Sequence, residues 1–375
     1  MLDIEEAAVK RAVTSVVEEG THYAFTGHPH VGMFERELSK RFDEAPVLGT
    51  NSGTDALILA LKVVGVSSGD EVIVPAFSYI STASCVSWIG ATPVFADIRS
   101  VDFAIDPSKI EEKITKNTKV IIVAHLFGQP ALGMKEIVSI AKKHNLFVIE
   151  DAAQSFGAEV EIDGEWKCAG AIGDIGCFSF SSTKPFAAPG NGGAIIFNTK
   201  NHALVEAADQ MRFYGAKIHY YDYPTVGVCA KLQEIHAAAL LAKMPFLDYR
   251  LKKRKDIADF YTKALSGIGS ISLPEEGGGT RRTWYRYVIR VKERDNLFDY
   301  LKTTISYNQY LQPMKNYPVP LPYFSAFKKL GYTWGDFPVA DRISSEVISL
   351  PLVNIVSLED VENVCNSIKN FYKCF

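Results

Sequence analysis

At 375 residues the chain is longer than one ordinary hydrophobic core supports, so two domains are expected. The composition is that of a globular protein, and a net charge of −3 argues against a general nucleic-acid or membrane-surface binder. Six scattered cysteines without a C-x-x-C pair, a charged first helix without a signal peptide's apolar core, and no membrane-length apolar run suggest a cytoplasmic protein with reduced thiols.

Leu2–Glu19 has apolar residues at helical spacing and stops at Gly20. Thr21–Val31 reads as a loop. Its His28 and His30 have no third ligand at a recognisable spacing, so no metal is expected. Gly32–Phe42 reads as a second helix. From Val47, strands and helices alternate. Strands Val47–Gly49, Glu71–Pro75, Pro93–Ala96, Lys119–Ala124 and Leu146–Ile149 are continuous apolar runs. Helices are expected over Asp55–Val64, Ser81–Ile89, Asp106–Ile114 and Gly133–His144. Unbroken apolar strands joined by helices predict an α/β fold with a mostly parallel sheet covered on both faces.

Glu161–Trp166 reads as a hairpin turning at Asp163-Gly164. Strands Gly176–Phe180 and Ala194–Phe197 flank a loop, and a helix is expected over Asn201–Phe213. Lys231–Leu265 is mostly helical, with the basic run Arg250–Lys255 read as its solvated face. Beyond it, Arg282–Val291 alternates as a strand, Leu297–Leu301 and Asp341–Val347 look helical, Ser349–Leu352 is extended, and Leu358–Tyr372 is a closing amphipathic helix. The expected division is a large α/β domain over 1–245 and a smaller C-terminal α+β domain over 246–375.

Lys184 stands out. It follows the strand Gly176–Phe180 and the small residues Ser181, Ser182 and Thr183, and Pro185 disfavours an α conformation at the lysine. A lysine buried between core strands would have its pKa lowered toward neutrality, as a Schiff-base nucleophile requires. The competing reading is a strand-end lysine that reaches to water. Ligands of open α/β sheets bind beyond the carboxyl ends of strands, and three further features sit there. Ser52-Gly53-Thr54 opens a helix, where free N–H groups bind an anion, although such a triplet is also an ordinary cap. Tyr79 can lay its ring on a flat ligand or sit in the core. Asp151 can pair with a protonated ring nitrogen or cap a helix, with Gln154 close by. Ser179 can add a donor to a phosphate. An anion nest, a stacking ring, a carboxylate for a pyridinium and an activated lysine are together the requirements of pyridoxal 5′-phosphate (PLP).

The sequence resembles the sugar-nucleotide aminotransferases of the DegT/DnrJ/EryC1/StrS family, PLP enzymes of fold type I. The resemblance runs over nearly the whole chain. It rests on Asn51–Ala56, Gly69–Pro75, Gly90–Asp97, His125–Pro130, Glu150–Gln154, the Gly173–Gly193 lysine segment and Ser349–Pro351. It implies a mostly parallel sheet of the seven-stranded type. It also implies that Lys184 forms the Schiff base and moves a proton, Asp151 pairs with the pyridine nitrogen, Tyr79 stacks on the ring and Gln154 lies near the ring oxygen. Gly53, Thr54 and Ser179 would hold the phosphate. The amino donor would be L-glutamate, the acceptor a nucleotide-diphosphate keto-sugar, and the enzyme a homodimer with shared active sites. Lys184 separates the chain from the dehydratase branch, which carries His there.

Several positions depart from the family pattern. Cys229, Lys231 and His236 stand for Asn, Arg and Gln, Tyr214 for His, and Ser181 and Pro185 for His and Asn. The Gly-Ile and His-Tyr-Pro cues are missing from Leu301–Pro318. Two alternatives stay open: another fold-type-I aminotransferase acting on a cyclitol or amino-acid ketone, and a PLP-binding regulatory protein with little turnover.

Overall fold

The structure, a computed structural model, describes residues 1–20, 29–199, 201–217, 221–275, 278–305, 311–353 and 356–373. Helices α1 (Leu2–Glu18) and α2 (Pro29–Arg41) come first. The alternating region follows as β1 (Val47–Thr50), α3 (Gly53–Val63), β2 (Glu71–Pro75), α4 (Ser81–Trp88), β3 (Thr92–Ala96), β4 (Thr118–Ala124), α5 (Met134–His144) and β5 (Phe147–Asp151). Next come β6 (Glu159–Ile162), β7 (Glu165–Cys168), β8 (Ile175–Ser179), β9 (Gly193–Phe197), α6 (His202–Arg212), α7 (Glu234–Lys243) and α8 (Leu247–Leu265). The remainder is β10 (Ile271–Ser272), β11 (Thr280–Arg281), β12 (Tyr287–Val291), α9 (Arg294–Thr304), α10 (Pro338–Glu346), β13 (Val347–Leu350) and α11 (Leu358–Lys373).

The central sheet has seven strands in the order β1-β9-β8-β5-β4-β2-β3. All its pairings are parallel except those of β9, which runs against both β1 and β8. The residues of β4 and β5 are almost all buried, as strands covered on both faces must be. The carboxyl ends of β1, β2, β4, β5 and β8 therefore open on one side of the sheet, and the chain's chemistry collects there. Glu161–Trp166 is the expected hairpin. Its turn residues Asp163 and Gly164 have φ of 54° and 82°, as a two-residue turn of this hand requires.

A second core lies around the sheet β10-β12-β13, packed between α8, α9 and α11. Its centre is a stack of aromatic rings. Tyr287 lies 4.9 Å from Tyr261 and 5.8 Å from Trp284, and the Tyr261 hydroxyl donates to the Pro351 carbonyl. Residues of the second half also return to the first core. Phe327, Tyr332 and Phe337 all pack on Phe95 of β3.

Some expected elements differ. Asp106–Ile114 is not a helix but two short 3-10 turns, Pro107–Lys109 and Glu111–Lys113, the first capped by the Asp106 carboxylate on the Ser108 N–H. Residues 29–31 belong to α2, which starts on a proline, a favoured first position because its missing N–H is not needed there. The Lys231–Leu265 helix is interrupted at Met244–Phe246, where Pro245 cannot continue the bonding ladder. The basic run is only partly solvated. Lys252 and Lys255 pair along the exposed face, but Arg250 binds the buried Glu5 of α1, and Arg254 is buried, donating to the carbonyls of Trp284 and Leu352.

The strand expected over Arg282–Val291 begins only at Tyr287. The preceding segment leaves the sheet to lie on the turn after β4, with the Thr283 N–H donating to the Gly128 carbonyl at 3.0 Å. Gly128 makes this contact possible. Its φ is +86°, and a Cβ there would stand 2.6 Å from the Tyr285 nitrogen and 2.7 Å from the Trp284 nitrogen. Gly128→Ala is therefore expected to destabilise the protein by about 2–4 kcal/mol in urea denaturation. Gly164→Ala has a comparable φ of +82° but open space around the new methyl, so it is expected to cost only about 1 kcal/mol.

Candidate active site

One cavity of about 320 Å³ opens at the carboxyl ends of the sheet strands, a size typical of small-molecule sites. Gly53, Thr54, Tyr79, Asp151, Gln154, Ser179 and Lys184, all singled out in the sequence, line it.

At the end of β1, Ser52 caps α3. Its Oγ accepts from the Asp55 N–H at 3.1 Å. The capping and anion-binding readings thus coexist: the cap satisfies a deeper amide, while Gly53 and Thr54, the first two residues of the helix, have no intrahelical acceptor for theirs. Gly53 also lets α3 approach β8. A Cβ on it would stand 2.8 Å from the Ser179 Cβ. The Thr54 hydroxyl bonds to Ser81 at 2.9 Å. Ser179 closes β8 opposite Gly193.

Asp151 ends β5, and a turn follows it, so it caps no helix. It is 7% exposed. Its Oδ2 accepts from the Thr82 hydroxyl at 2.7 Å, and Thr82 is bonded to Ser78 at 2.7 Å. Among the described residues no cation pairs with it. Asp151 also raises the pKa of the buried thiols Cys85 and Cys177, adding to the larger effect of burial. Beside it, His125 is fully buried between Glu150 and a backbone amide. Its Nε2 lies 2.8 Å from Glu150 Oε2, and its Nδ1 accepts from the Ala131 N–H at 2.9 Å. The bonding fixes the tautomer, with the proton on Nε2.

Gln154 is held at both ends. Its Oε1 accepts from the Phe127 N–H at 2.9 Å and its Nε2 donates to the Tyr317 hydroxyl at 3.0 Å. Tyr79 is half-exposed at the cavity mouth, 6.2 Å from the Tyr317 ring. Tyr317 comes from the second half of the chain and stacks on Phe127.

Lys184 lies in the loop between β8 and β9. The loop is anchored by the buried Phe180 and Phe186, and the Ala188 N–H donates to the Phe180 carbonyl. The lysine is half-buried, not sealed in the core as the flanking strands suggested, because it sits on the cavity side of that loop. Its Nζ lies 4.7 Å from the centre of the Tyr285 ring. Burial would raise the Tyr285 pKa, but the charges of Lys184 and Arg286, with hydrogen bonds from Thr183 and Arg286, outweigh it and bring it down to about 8.

Tyr285, Arg286, Asn316 and Tyr317 line the cavity but carry no sequence motif, and Thr82 supports Asp151 from behind. The i, i+4 spacing of Ser78 and Thr82 was the one local sign of that support. The departures at 229–236 lie elsewhere. Cys229 is exposed on a bridge to Phe213, Lys231 lies over the Phe213 ring, and His236 packs beneath Gly190. His30 bonds Glu234, whose carboxylate also accepts the Val31 amide; His28 lies outside the described residues. Among the described residues no three His, Cys, Asp or Glu gather as a metal site.

The DegT/DnrJ/EryC1/StrS aminotransferase family model matches residues 3–369. The chain belongs to this family. Fold type I and the activity class, a PLP-dependent aminotransferase, stand with that membership. A "pleiotropic regulatory protein" from Geobacillus stearothermophilus is 36% identical across 100% of this chain and 99% of its own length. The dTDP-3-amino-3,6-dideoxy-alpha-D-galactopyranose transaminase of Aneurinibacillus thermoaerophilus is 36% identical, covering 97% of this chain and 95% of its own. A crystal structure of NtdA from Bacillus subtilis with bound cofactor PMP superposes with a TM-score of 0.86 at 30% identity, covering 98% of this chain and 82% of that one.

The Tyr285 phenol is expected to titrate near 8 in the cofactor-free protein, read by ultraviolet difference absorbance. Tyr285→Phe should remove that step. Lys184→Ala should move it upward, because a neighbouring cation is lost.

Proposed function

We propose that this chain moves the amino group of L-glutamate onto the ketone of a nucleotide-linked sugar, with PLP held in the cavity at the sheet's carboxyl edge. One observation carries this reading. Asp151 is a nearly buried carboxylate aimed into the cavity, with no cation of its own among the described residues. Burying such a charge is costly unless a positive partner arrives, and a protonated pyridine is one. The remaining donors suit the rest of PLP: the Gly53 and Thr54 amides and the Ser179 hydroxyl for a phosphate, and the Tyr79 ring for a flat heterocycle.

PLP, when bound, supplies the electron sink that lets the donor's α-proton leave. Asp151 keeps the ring nitrogen protonated, and Thr82 fixes the carboxylate in place. Lys184 would hold the cofactor through its Nζ, and the same Nζ would take and return the proton. The Tyr285 ring gives that ammonium a place to rest by attraction between cation and ring face. Gln154, tied to Phe127 and Tyr317, holds the wall near the ring oxygen.

The relative that makes an amino-dideoxy sugar on dTDP supports a nucleotide-linked ketone as acceptor, and glutamate is the donor that the family membership suggests. A homodimer is supported by an exposed segment in which the large apolar side chains of Tyr221 and Val226 are 87% and 92% accessible. No helix among the described residues is long and apolar enough to cross a membrane, and five described cysteines are free, which supports a cytoplasmic location. The relative named as a regulatory protein supports a second reading, PLP binding without turnover.

An absorbance spectrum with PLP and then L-glutamate separates the two. Conversion of the bound cofactor to its amine form, reversed by a nucleotide keto-sugar, is the expected outcome. No conversion with any donor would leave the regulatory reading in its place. Lys184→Ala should lose turnover by about a thousandfold or more. In light scattering, Val226→Glu is expected to shift the protein from dimer toward monomer.

A further inference from the structure

Arg286 has no role in the reading above, yet its surroundings are unusual for a structural arginine. It lines the cavity beside Tyr285, with its guanidinium carbon 5.0 Å from that ring's centre, while Lys184 Nζ lies 4.7 Å from the same centre. Two cations thus lie against one ring, and among the described residues no carboxylate pairs with either. Among the described residues lining the cavity, the only acidic side chain is Asp151. The Arg286 Nε is buried and has no hydrogen-bond partner among the described residues. A desolvated guanidinium N–H without an acceptor costs free energy that an anionic oxygen would return.

The arginine is also held in place. Its own N–H donates to the Phe127 carbonyl, and the segment that carries it is seated on Gly128. Nearby, the Tyr317 hydroxyl already accepts from Gln154, which leaves its hydrogen free to be donated. Burial pushes the Tyr317 pKa up, so it stays a neutral donor.

We propose that Arg286 is a specificity-determining residue that binds an anionic oxygen group of the substrate, close to the nitrogen of Lys184. This rests on the aminotransferase reading of the same cavity. Two substrate groups share the required chemistry. An amino-acid donor carries a carboxylate on the carbon that bears its reacting amine. A nucleotide-sugar acceptor carries a diphosphate on the ring that bears its ketone. The planar, charge-assisted fork of a guanidinium suits either.

The test is equilibrium binding to the PLP-loaded enzyme by calorimetry, with 2-oxoglutarate as the carboxylate probe and UDP or dTDP as the diphosphate probe. Arg286→Gln is expected to weaken one probe by about 10- to 100-fold, the size of a charge-assisted contact. The other probe, and the absorbance of the bound cofactor, should be unchanged. Arg286→Lys should recover part of the loss, since it returns the charge without the fork. Weakened 2-oxoglutarate assigns the arginine to the donor, and weakened nucleotide assigns it to the acceptor. Unchanged binding of both probes overturns the proposal, as does a wild-type enzyme that binds neither. Loss of PLP itself in Arg286→Gln also overturns it, because the guanidinium would then belong to the cofactor. Binding does not require turnover. An enzyme that binds a probe through Arg286 but never converts its cofactor would fail as an aminotransferase and still bear out this inference.

Discussion

A carboxylate set at the end of a central strand, nearly out of water and with no cation beside it among the described residues, is the constraint around which the site is built. Asp151 can be there because β5 lies in the middle of the sheet and the Thr82 hydroxyl, steadied by Ser78, donates to it. A charge-assisted bond of that kind is worth about 1.5–3 kcal/mol, enough to orient the group but not to neutralise it. The cavity's other charges are positive: Lys184, Arg286 and the amide end of α3. The site is therefore complementary to a molecule with a protonated ring at one place and anionic oxygens at others.

Bringing these groups together depends on close backbone contacts more than on side-chain size. Gly53 allows α3 to touch the end of β8, and Gly128 allows the 283–286 segment to lie on the turn after β4. The first contact brings the amide cluster to Ser179, and the second brings Tyr285 to Lys184. Gln154 then ties the wall to Tyr317. Each contact joins residues far apart in the chain across a few ångström.

The parts legible in the sequence were those with local signatures. Continuous apolar runs marked the strands, and the chemistry-bearing residues at or just beyond their ends marked Gly53, Thr54, Tyr79, Asp151, Gln154, Ser179 and Lys184, which all line one cavity. The reversal of β9 had no local signature, because an apolar run gives no direction. Tyr285, Arg286, Asn316 and Tyr317 were not legible either, since their place depends on a return of the chain set by Gly128 and by packing on Phe127. The basic run at 250–255 misled for a related reason. Helical periodicity shows which residues share a face but not what covers it, and Arg254 is covered by Trp284 and Leu352 from the second core. The depth of Lys184 was overestimated because burial of the flanking strands does not extend to the loop between them.

Tyr317 reaches the cavity from near the end of the chain, and the 314–350 region reaches its place through the Met314–Ser349 bridge and the packing of Phe327 and Phe337 on Phe95. The sheet that carries Asp151 and Lys184 leaves the ribosome long before those residues do. A growing chain therefore exposes an incomplete cavity, with one wall missing, until the 314–350 region has been made. Only a chain synthesised through that region can close around a ligand, so ligand binding reports on how far synthesis has gone as well as on correct folding.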